Sequence, residues 1–144
     1  MNAIHLSDLL HFWPVSDLHA NWLVFLHVVG ALLLGLLVGY ERSYHGRAAG
    51  MRTYGLVCMT SSALIAVLIY PSFGVSVDPT RVIQGIVTGV GFLGAGIIMR
   101  VGLNISGLTT AASIWATSGI GVLMGFGFYF AAVLVTVLSV SCMI

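Results

Sequence analysis

The chain has 144 residues, of which 59% are hydrophobic and only 6% are charged, and its formal net charge is +1. Its mean hydropathy is +1.09. Because a soluble domain carries about 25% charged residues, this composition excludes a water-soluble globular protein and predicts an all-α membrane protein. The small charge and the scattered arginines also argue against a nucleic acid as partner. Membrane lipid is therefore the expected surrounding.

Uncharged stretches long enough to cross a bilayer recur along the chain, since a transmembrane helix needs about 17–25 residues. We predict about five transmembrane helices in a glycine-rich, closely packed bundle: Trp22–Tyr40, Tyr54–Tyr70, Val82–Met99, about Leu108–Met124 and Phe128–Ile144. The last two share one long uncharged tail, and Gly125-Phe126-Gly127, beside further aromatic residues, predicts an interfacial turn between them. The transmembrane domain is thus residues 22–144, preceded by an N-terminal segment, residues 1–21.

The arginines predict the orientation of the bundle. Five crossings place Arg42, Arg47, Arg52 and Arg100 on one side of the membrane and Arg81 on the other. The positive-inside rule assigns the four arginines to the cytoplasm, so the N-terminus is predicted outside and the C-terminus in the cytoplasm.

The glycines allow two interpretations. Residues 89–94 read G-x-G-x-x-G, the letters of a dinucleotide-binding turn, but that turn needs a strand before it and an acidic residue about 20 positions later. Here the motif lies in the middle of a predicted span, so we favour close helix packing, within the chain or across a homodimer or larger homo-oligomer. The glycines expected to pack in this way are Gly35, Gly39, Gly85, Gly89, Gly91, Gly94 and Gly96.

Hydroxyl groups at membrane depth also leave two interpretations open. Thr109, Ser113 and Thr117 recur every four residues on one helix face, with Thr110 beside them. They either form interhelical hydrogen bonds, which we favour, or line a polar cavity or ion route. No carboxylate lies inside a predicted span, where such groups mark ion sites. Glu41, at the end of the first span, is the one candidate, and we expect it to pair with an arginine.

The other polar residues indicate structure rather than chemistry. Asp78 is expected to cap the third helix, with Pro79 in its first turn, and could also contact Arg81. The five histidines lack the spacing of a zinc helix, and no catalytic arrangement of side chains is evident. We therefore predict no catalytic, cofactor-binding or metal-binding residue, no cofactor and no enzyme.

Several segments, in order, resemble the membrane domain of the MgtC/SapB family: "GLLVGYERSYHGRAAGMRTYGLV", "DPTRVIQGIVTGVGFLGAGIIMR", "GLNISGLTTAASIW" and "GIGVLMGFG". Together they cover most of residues 35–127. The polar positions that match the family pattern are Glu41, Arg42, Arg52, Asp78, Arg81, Arg100, Asn104, Thr109 and Thr110. Ser106 departs from it, since the family usually has a basic residue there.

The resemblance implies a multi-pass protein of the bacterial inner membrane. The family is associated with adaptation to low magnesium and acid and with survival of pathogens in host phagocytes. Its members look more like regulators of other membrane proteins, including the ATP synthase, than like magnesium transporters; a small magnesium or ion transporter is the alternative. Many relatives continue into a soluble cytoplasmic C-terminal domain, absent from this sequence, so we expect either a short member or a piece of a longer protein.

Overall fold

The computed structural model describes residues 18–70, 78–101 and 103–144, and within these ranges the chain forms five helices and one short hairpin. In chain order these elements are α1 (Leu18–Tyr44), α2 (Met51–Ile69), α3 (Pro79–Ile97), β1 (Met99–Val101), β2 (Asn104–Ser106), α4 (Leu108–Gly125) and α5 (Tyr129–Met143). The predicted all-α membrane fold is confirmed. Most of the predicted N-terminal segment lies outside the described residues.

Four of the helices, α1 to α4, are long and apolar enough to cross a membrane, judged by length and composition. The fifth, α5, is also apolar but has only 15 residues, which corresponds to a length of about 22 Å. The hydrocarbon core of a bilayer is about 30 Å thick. The number of helices, five, agrees with the prediction. The last of them, α5, is shorter than the hydrocarbon core is thick.

Two helices end in the same C-capping motif, and a glycine is central to each. After α1, the amides of Gly46 and Arg47 donate to the carbonyl oxygens of Ser43 and Arg42, and Gly46 has a φ of 62°. After α4, Gly127 has a φ of 83° and forms the equivalent pair of hydrogen bonds together with Phe128. This is the Schellman motif, whose left-handed residue is usually glycine. The turn predicted at residues 125–127 is confirmed.

The start of α3 carries the cap that the sequence predicts. Oδ1 of Asp78 accepts hydrogen bonds from the amide of Thr80, at 2.9 Å, and from its hydroxyl, at 2.7 Å, and proline occupies the first turn. These two hydrogen bonds lower the pKa of the Asp78 carboxyl below its ordinary value of 3.8. Asp78 is exposed, so the cap is a local device at the helix end.

We expect the contribution of this cap to be pH-dependent. Because the pKa of Asp78 is lowered in the folded chain, the cap contributes fully above the unfolded-state pKa and is lost as the pH falls through the lowered one. Amide exchange at Thr80 should therefore accelerate in this acid range. Asp78→Asn keeps an acceptor but cannot titrate, so its exchange, corrected for intrinsic chemistry, should not show this acid step. An identical step in Asp78→Asn would contradict the assignment.

A two-stranded antiparallel hairpin connects α3 to α4, where the sequence predicts only a loop. Met99 pairs with Ser106, Arg100 with Ile105 and Val101 with Asn104. Strands of three residues are too short to show an alternating pattern, which explains why the hairpin is not apparent in the sequence. It brings Arg100 and Asn104 onto the same end of the bundle as the end of α1 and the start of α2.

The core of the bundle is built on α2, which lies between α1 and α4. Gly35 and Gly39 of α1 face α2 so closely that an added Cβ would come 2.7 Å from the carbonyl oxygen of Tyr54 and 2.5 Å from the Cα of Met51. Gly125 of α4 likewise faces Ser62 and Ile65 of α2. Small residues on helix faces allow such close approach of backbones in membrane proteins.

The glycines of α3 are placed differently. A Cβ added at Gly85, Gly89, Gly91 or Gly96 would meet no atom within 4 Å, and one at Gly94 would make only an ordinary contact of 3.5 Å with Ala111. Among the residues that the structure describes, therefore, nothing packs within reach of an added Cβ at four of these five glycines. The G-x-G-x-x-G stretch lies inside α3 rather than at a strand-to-helix turn, so it lacks the geometry of a dinucleotide-binding turn.

Candidate functional site at the arginine-rich end

The structure divides the polar residues of the family pattern between the two ends of the bundle. Asp78 and Arg81 lie at the start of α3, and both are exposed. The other residues lie at the opposite end, which we call the arginine-rich end: Glu41, Arg42, Arg52, Arg100, Asn104, Thr109 and Thr110. The end of α1, the start of α2, the hairpin and the start of α4 together form this end.

Glu41 and Arg42, at the end of α1, are buried, with 9% and 1% of their surfaces exposed. Oε2 of Glu41 lies 3.9 Å from Nη1 of Arg42. Nδ1 of His45 lies 2.9 Å from Oε1 of Glu41 and 3.0 Å from the Glu41 backbone carbonyl oxygen. A buried carboxylate beside a buried guanidinium compensates charge that would be very costly alone.

The hydrogen bonding of this pair is incomplete within the described part of the chain. Nε and Nη2 of Arg42 are buried without a hydrogen-bond partner, and neither carboxylate oxygen of Glu41 makes a contact with hydrogen-bond geometry, although Oε1 has the ion-pair contact with His45 at 2.9 Å. In a guanidinium group, Nε and Nη2 share the edge with which arginine donates to two oxygens of one acceptor. The pair is therefore a neutral, buried and incompletely bonded cluster. Its integrity depends on both partners being present.

Exposed polar residues lie at the same end of the bundle as the buried pair. Arg47, Arg52, Arg100, Asn104 and Thr109 all lie at the surface of this end. Three surface arginines make the arginine-rich end electropositive, and such a surface attracts anionic lipid headgroups. Thr110, in contrast, is 4% exposed and packs inside the bundle.

The predicted hydroxyl row of α4 is engaged in internal hydrogen bonds. Ser113 and Thr117 are buried, and each donates a hydrogen bond of 2.8 Å to a carbonyl oxygen of its own helix. Ser113 also accepts from the Tyr54 hydroxyl at 2.5 Å, which links α4 to α2. Within the described residues, Tyr54–Ser113 is the only interhelical hydrogen bond of this row, and the hydroxyls of Ser113 and Thr117 donate to their own helix.

At the other end of the bundle, His27 forms a cluster that the sequence does not reveal. Its ring is 1% exposed, and Nδ1 lies 2.5 Å from the Leu23 carbonyl oxygen. Nε2 lies 2.8 Å from the Tyr129 hydroxyl and 3.2 Å from that of Tyr70. A carbonyl oxygen only accepts, so Nδ1 donates to Leu23, and this tautomer leaves Nε2 as the acceptor for a tyrosine hydroxyl. Tyr70 and Tyr129 lie 43 and 102 positions from His27 in the chain, so no short sequence pattern indicates that the three residues meet.

The two tyrosines should differ in importance. Nε2 of His27 has a single lone pair, and the Tyr129 hydroxyl is the nearer donor, so Tyr129→Phe should lower the free energy of unfolding by about 1 kcal/mol. Tyr70→Phe should cost less. Unfolding in mixed micelles by titration with a denaturing detergent measures both changes. A larger loss in Tyr70→Phe would contradict the assigned donor.

Among the residues that the structure describes, no three His, Cys, Asp or Glu side chains gather as a metal site would require. The five helices, the apolar spans and the buried ion pair define the chain as a multi-pass α-helical membrane protein. The profile of the MgtC family matches residues 28–144. The chain belongs to the MgtC family.

Curated relatives show the same kinship. Protein MgtC of Salmonella typhimurium strain LT2 is 46% identical over 114 residues, which is 78% of this chain and 48% of the relative. Protein MgtC of Brucella abortus strain 2308 is 44% identical over 116 residues, which is 79% of this chain and 47% of the relative. The chain thus spans about half the length of the curated relatives that it matches. No solved structure matches it.

Proposed function

We propose that this protein is a non-enzymatic regulator that binds another protein of the bacterial inner membrane, in adaptation to low magnesium, acid or host stress. The resemblance of the sequence to regulatory family members supports this role and suggests the proton-translocating ATP synthase as the partner. The arginine-rich end would face the cytoplasm, because cytoplasmic loops carry an excess of arginine. There, the exposed arginines would contact anionic lipid or the partner.

The observation that carries the proposal is the outward face of α3. Other helices present large apolar side chains at the bundle surface, such as Leu33, Leu37 and Phe130, which are 54–83% exposed. At its surface α3 also exposes Val87, Phe92 and Leu93, but beside them it presents glycines whose added Cβ would contact no atom of the described residues. Lipid chains fill a flat glycine surface poorly, whereas a second helix approaches it closely and gains dispersion contacts. Such a face supports binding to protein.

An ion transporter remains the second candidate, because Thr109 and Ser113 border a groove of about 310 Å³ between α4 and α5. The hydrogen bonds of Ser113 and Thr117 within the bundle weigh against a route through the row itself. The two functions differ in whether the isolated protein moves ions.

Reconstitution into liposomes separates the two functions. We expect vesicles that contain only this protein to remain tight to magnesium and protons, as measured with entrapped fluorescent indicators. When a bacterial ATP synthase is reconstituted alongside it, ATP-driven acidification of the vesicles should change, while their passive proton leak stays the same. Vesicles with the synthase alone are the control.

Two variants show whether any ion flux through the protein alone is transport by the protein. Magnesium or proton flux through the protein alone that disappears in Glu41→Gln or Thr110→Val, in vesicles where circular dichroism shows the variant still folded, would establish transport and overturn the regulatory proposal. Unchanged ATP-driven acidification at every protein ratio would remove the ATP synthase as partner.

A further inference from the structure

The outward face of α3 is polar as well as small. Gln84 and Thr88 lie four residues apart, so they share this face, and both are exposed in the single chain. Thr88 is at the midpoint of α3, and Gln84 lies one turn towards its start. Within the described part of the chain, neither side chain has a hydrogen-bond partner. An unpaired amide at this depth is costly against lipid, so the face favours contact with polar groups of protein.

A groove runs beside this face, between α3 and α2. It has a volume of about 500 Å³, and its wall is mostly apolar, formed by Leu, Val and Ile side chains of both helices. Gly85 and Gly89 of α3 and Thr60 and Ser61 of α2 also border it. Ser61 is 96% buried, since only 4% of it is exposed, and it borders the groove without a hydrogen-bond partner among the described residues. The groove therefore carries an unused hydroxyl at its wall beside two glycines, and an approaching helix can bring a polar group to that hydroxyl, whereas a lipid chain cannot.

We infer that a second copy of this chain docks here, with the two α3 helices packed in parallel about a two-fold axis normal to the membrane. The inference rests on the proposed function only in assigning the outward face of α3 to protein contact. It identifies the protein that covers this face as a second copy of the chain.

The choice of a second copy follows from self-complementarity. Two copies inserted with the same topology present α3 in parallel, and G-x-x-x-G faces such as Gly85 and Gly89 pair in this orientation. In an isologous contact, the same surface of both copies is used, so a residue near the two-fold axis meets the same residue of the other copy or one close to it. The Gln84 amide carries both donors and an acceptor, so it can pair with its copy, which a purely acidic or basic side chain cannot do.

Phe92 adds shape to the contact. Its side chain is 80% exposed and lies on the same face, one turn beyond Thr88. It is the most exposed large side chain of α3, and it lies beside the small and polar residues of this face. Across a two-fold axis, Phe92 of each copy can pack over the glycine surface or into the groove of the other. One bulky group facing an open surface is the arrangement of a knob and its hole.

The decisive variant is Gly89→Leu. A Cβ at Gly89 meets nothing within 4 Å in the single chain, so the fold of the protomer should survive, but the side chain would hold a second α3 away. Gly119→Leu is the matched control, because that glycine of α4 is equally open but borders a different groove, between α3 and α4, than the one that Gly89 borders. Förster transfer in liposomes, between dyes on the exposed Cys142, reports association at increasing dilution in lipid. We expect transfer in wild type and Gly119→Leu and its loss in Gly89→Leu.

Gln84 provides a graded test. Gln84→Leu should weaken dimerisation by about threefold for each hydrogen bond lost across the axis, whereas Gln84→Asn should retain part of it. In a Cys142→Ser background, Gly85→Cys should form an oxidised dimer, and Gly119→Cys should not. Efficient cross-linking through residue 119 but not 85 would place the interface elsewhere and overturn the inference.

The failures of the two proposals are distinguishable. If Gly89→Leu associates as wild type does, or if wild type stays monomeric at all dilutions, the dimer is wrong, whatever the liposome assay of function shows. If a monomeric wild type still alters ATP-driven acidification and Gly89→Leu abolishes that effect, the face binds the partner instead of a second copy. A dimer through this face that conducts ions would overturn the regulatory function and leave the dimer standing.

Discussion

Gly121→Ala is expected to destabilise the bundle strongly, lowering the free energy of unfolding by about 3 kcal/mol, at the upper end of the cost of overpacking. The added Cβ would overlap the carbonyl oxygen of Cys58 and lie 2.8 Å from the Cβ of Ser61. Both obstacles belong to α2 close to its backbone, so no flexible side chain can move aside. The helices α2 and α4 would have to separate.

Gly119→Ala is the matched control for this prediction. It adds the same methyl group to the same helix two residues earlier, where nothing lies within 4 Å. Its effect should stay within about 0.5 kcal/mol. Reversible unfolding in mixed micelles, followed by circular dichroism, compares the two variants. Equal stabilities would show that α2 and α4 do not approach as closely as the structure indicates.

Glu41→Gln is expected to cost about 3–5 kcal/mol of unfolding free energy, because it leaves the buried guanidinium of Arg42 without a compensating charge. The substitution retains the size of the side chain, so packing changes little. The same unfolding measurement applies. His45→Gln serves as a comparison: His45 is 44% exposed, and loss of a partly exposed contact should matter far less.

A double variant distinguishes loss of charge compensation from loss of packing, because the two causes change its stability relative to Glu41→Gln in opposite directions. Replacing both partners, in Glu41→Gln/Arg42→Met, removes the uncompensated charge, so the double variant should be more stable than Glu41→Gln alone. A double variant that loses the sum of the two single effects would show that the residues act independently. In that case the 3.9 Å contact between Oε2 and Nη1 would carry no coupling.

Much of the fold is legible in the sequence because the bilayer imposes local rules. The span beginning at Pro79 is preceded by Asp78 and followed by Arg100, so charge and capping mark its ends without knowledge of any neighbour. The turn at Gly127 is equally local, since a left-handed residue after a helix favours glycine. These features depend on residues a few positions apart.

The candidate site was only partly predictable. The identity of its residues follows from the pattern around Glu41 and Arg42, but the sequence does not indicate that Arg42 is almost completely buried. The hydroxyl row was expected mainly to bridge helices, yet Ser113 and Thr117 bond chiefly to their own helix. The distinction depends on side-chain rotamers and on which neighbour lies opposite, and neither is encoded in spacing.

By itself, the sequence determined the class of the protein, its helices and the family to which it belongs, because hydrophobicity, charge and motif order act over short stretches of chain. The tertiary structure alone decided which glycines are packed against another helix. Gly35 and Gly121 pack against α2, whereas an added Cβ at Gly85 or Gly89, which show the same four-residue spacing, would meet no atom within 4 Å among the described residues. It also decided that His27 meets Tyr70 and Tyr129. The physical reason is that a helix face acquires its role only from the surface packed against it, and that surface comes from residues distant in the chain.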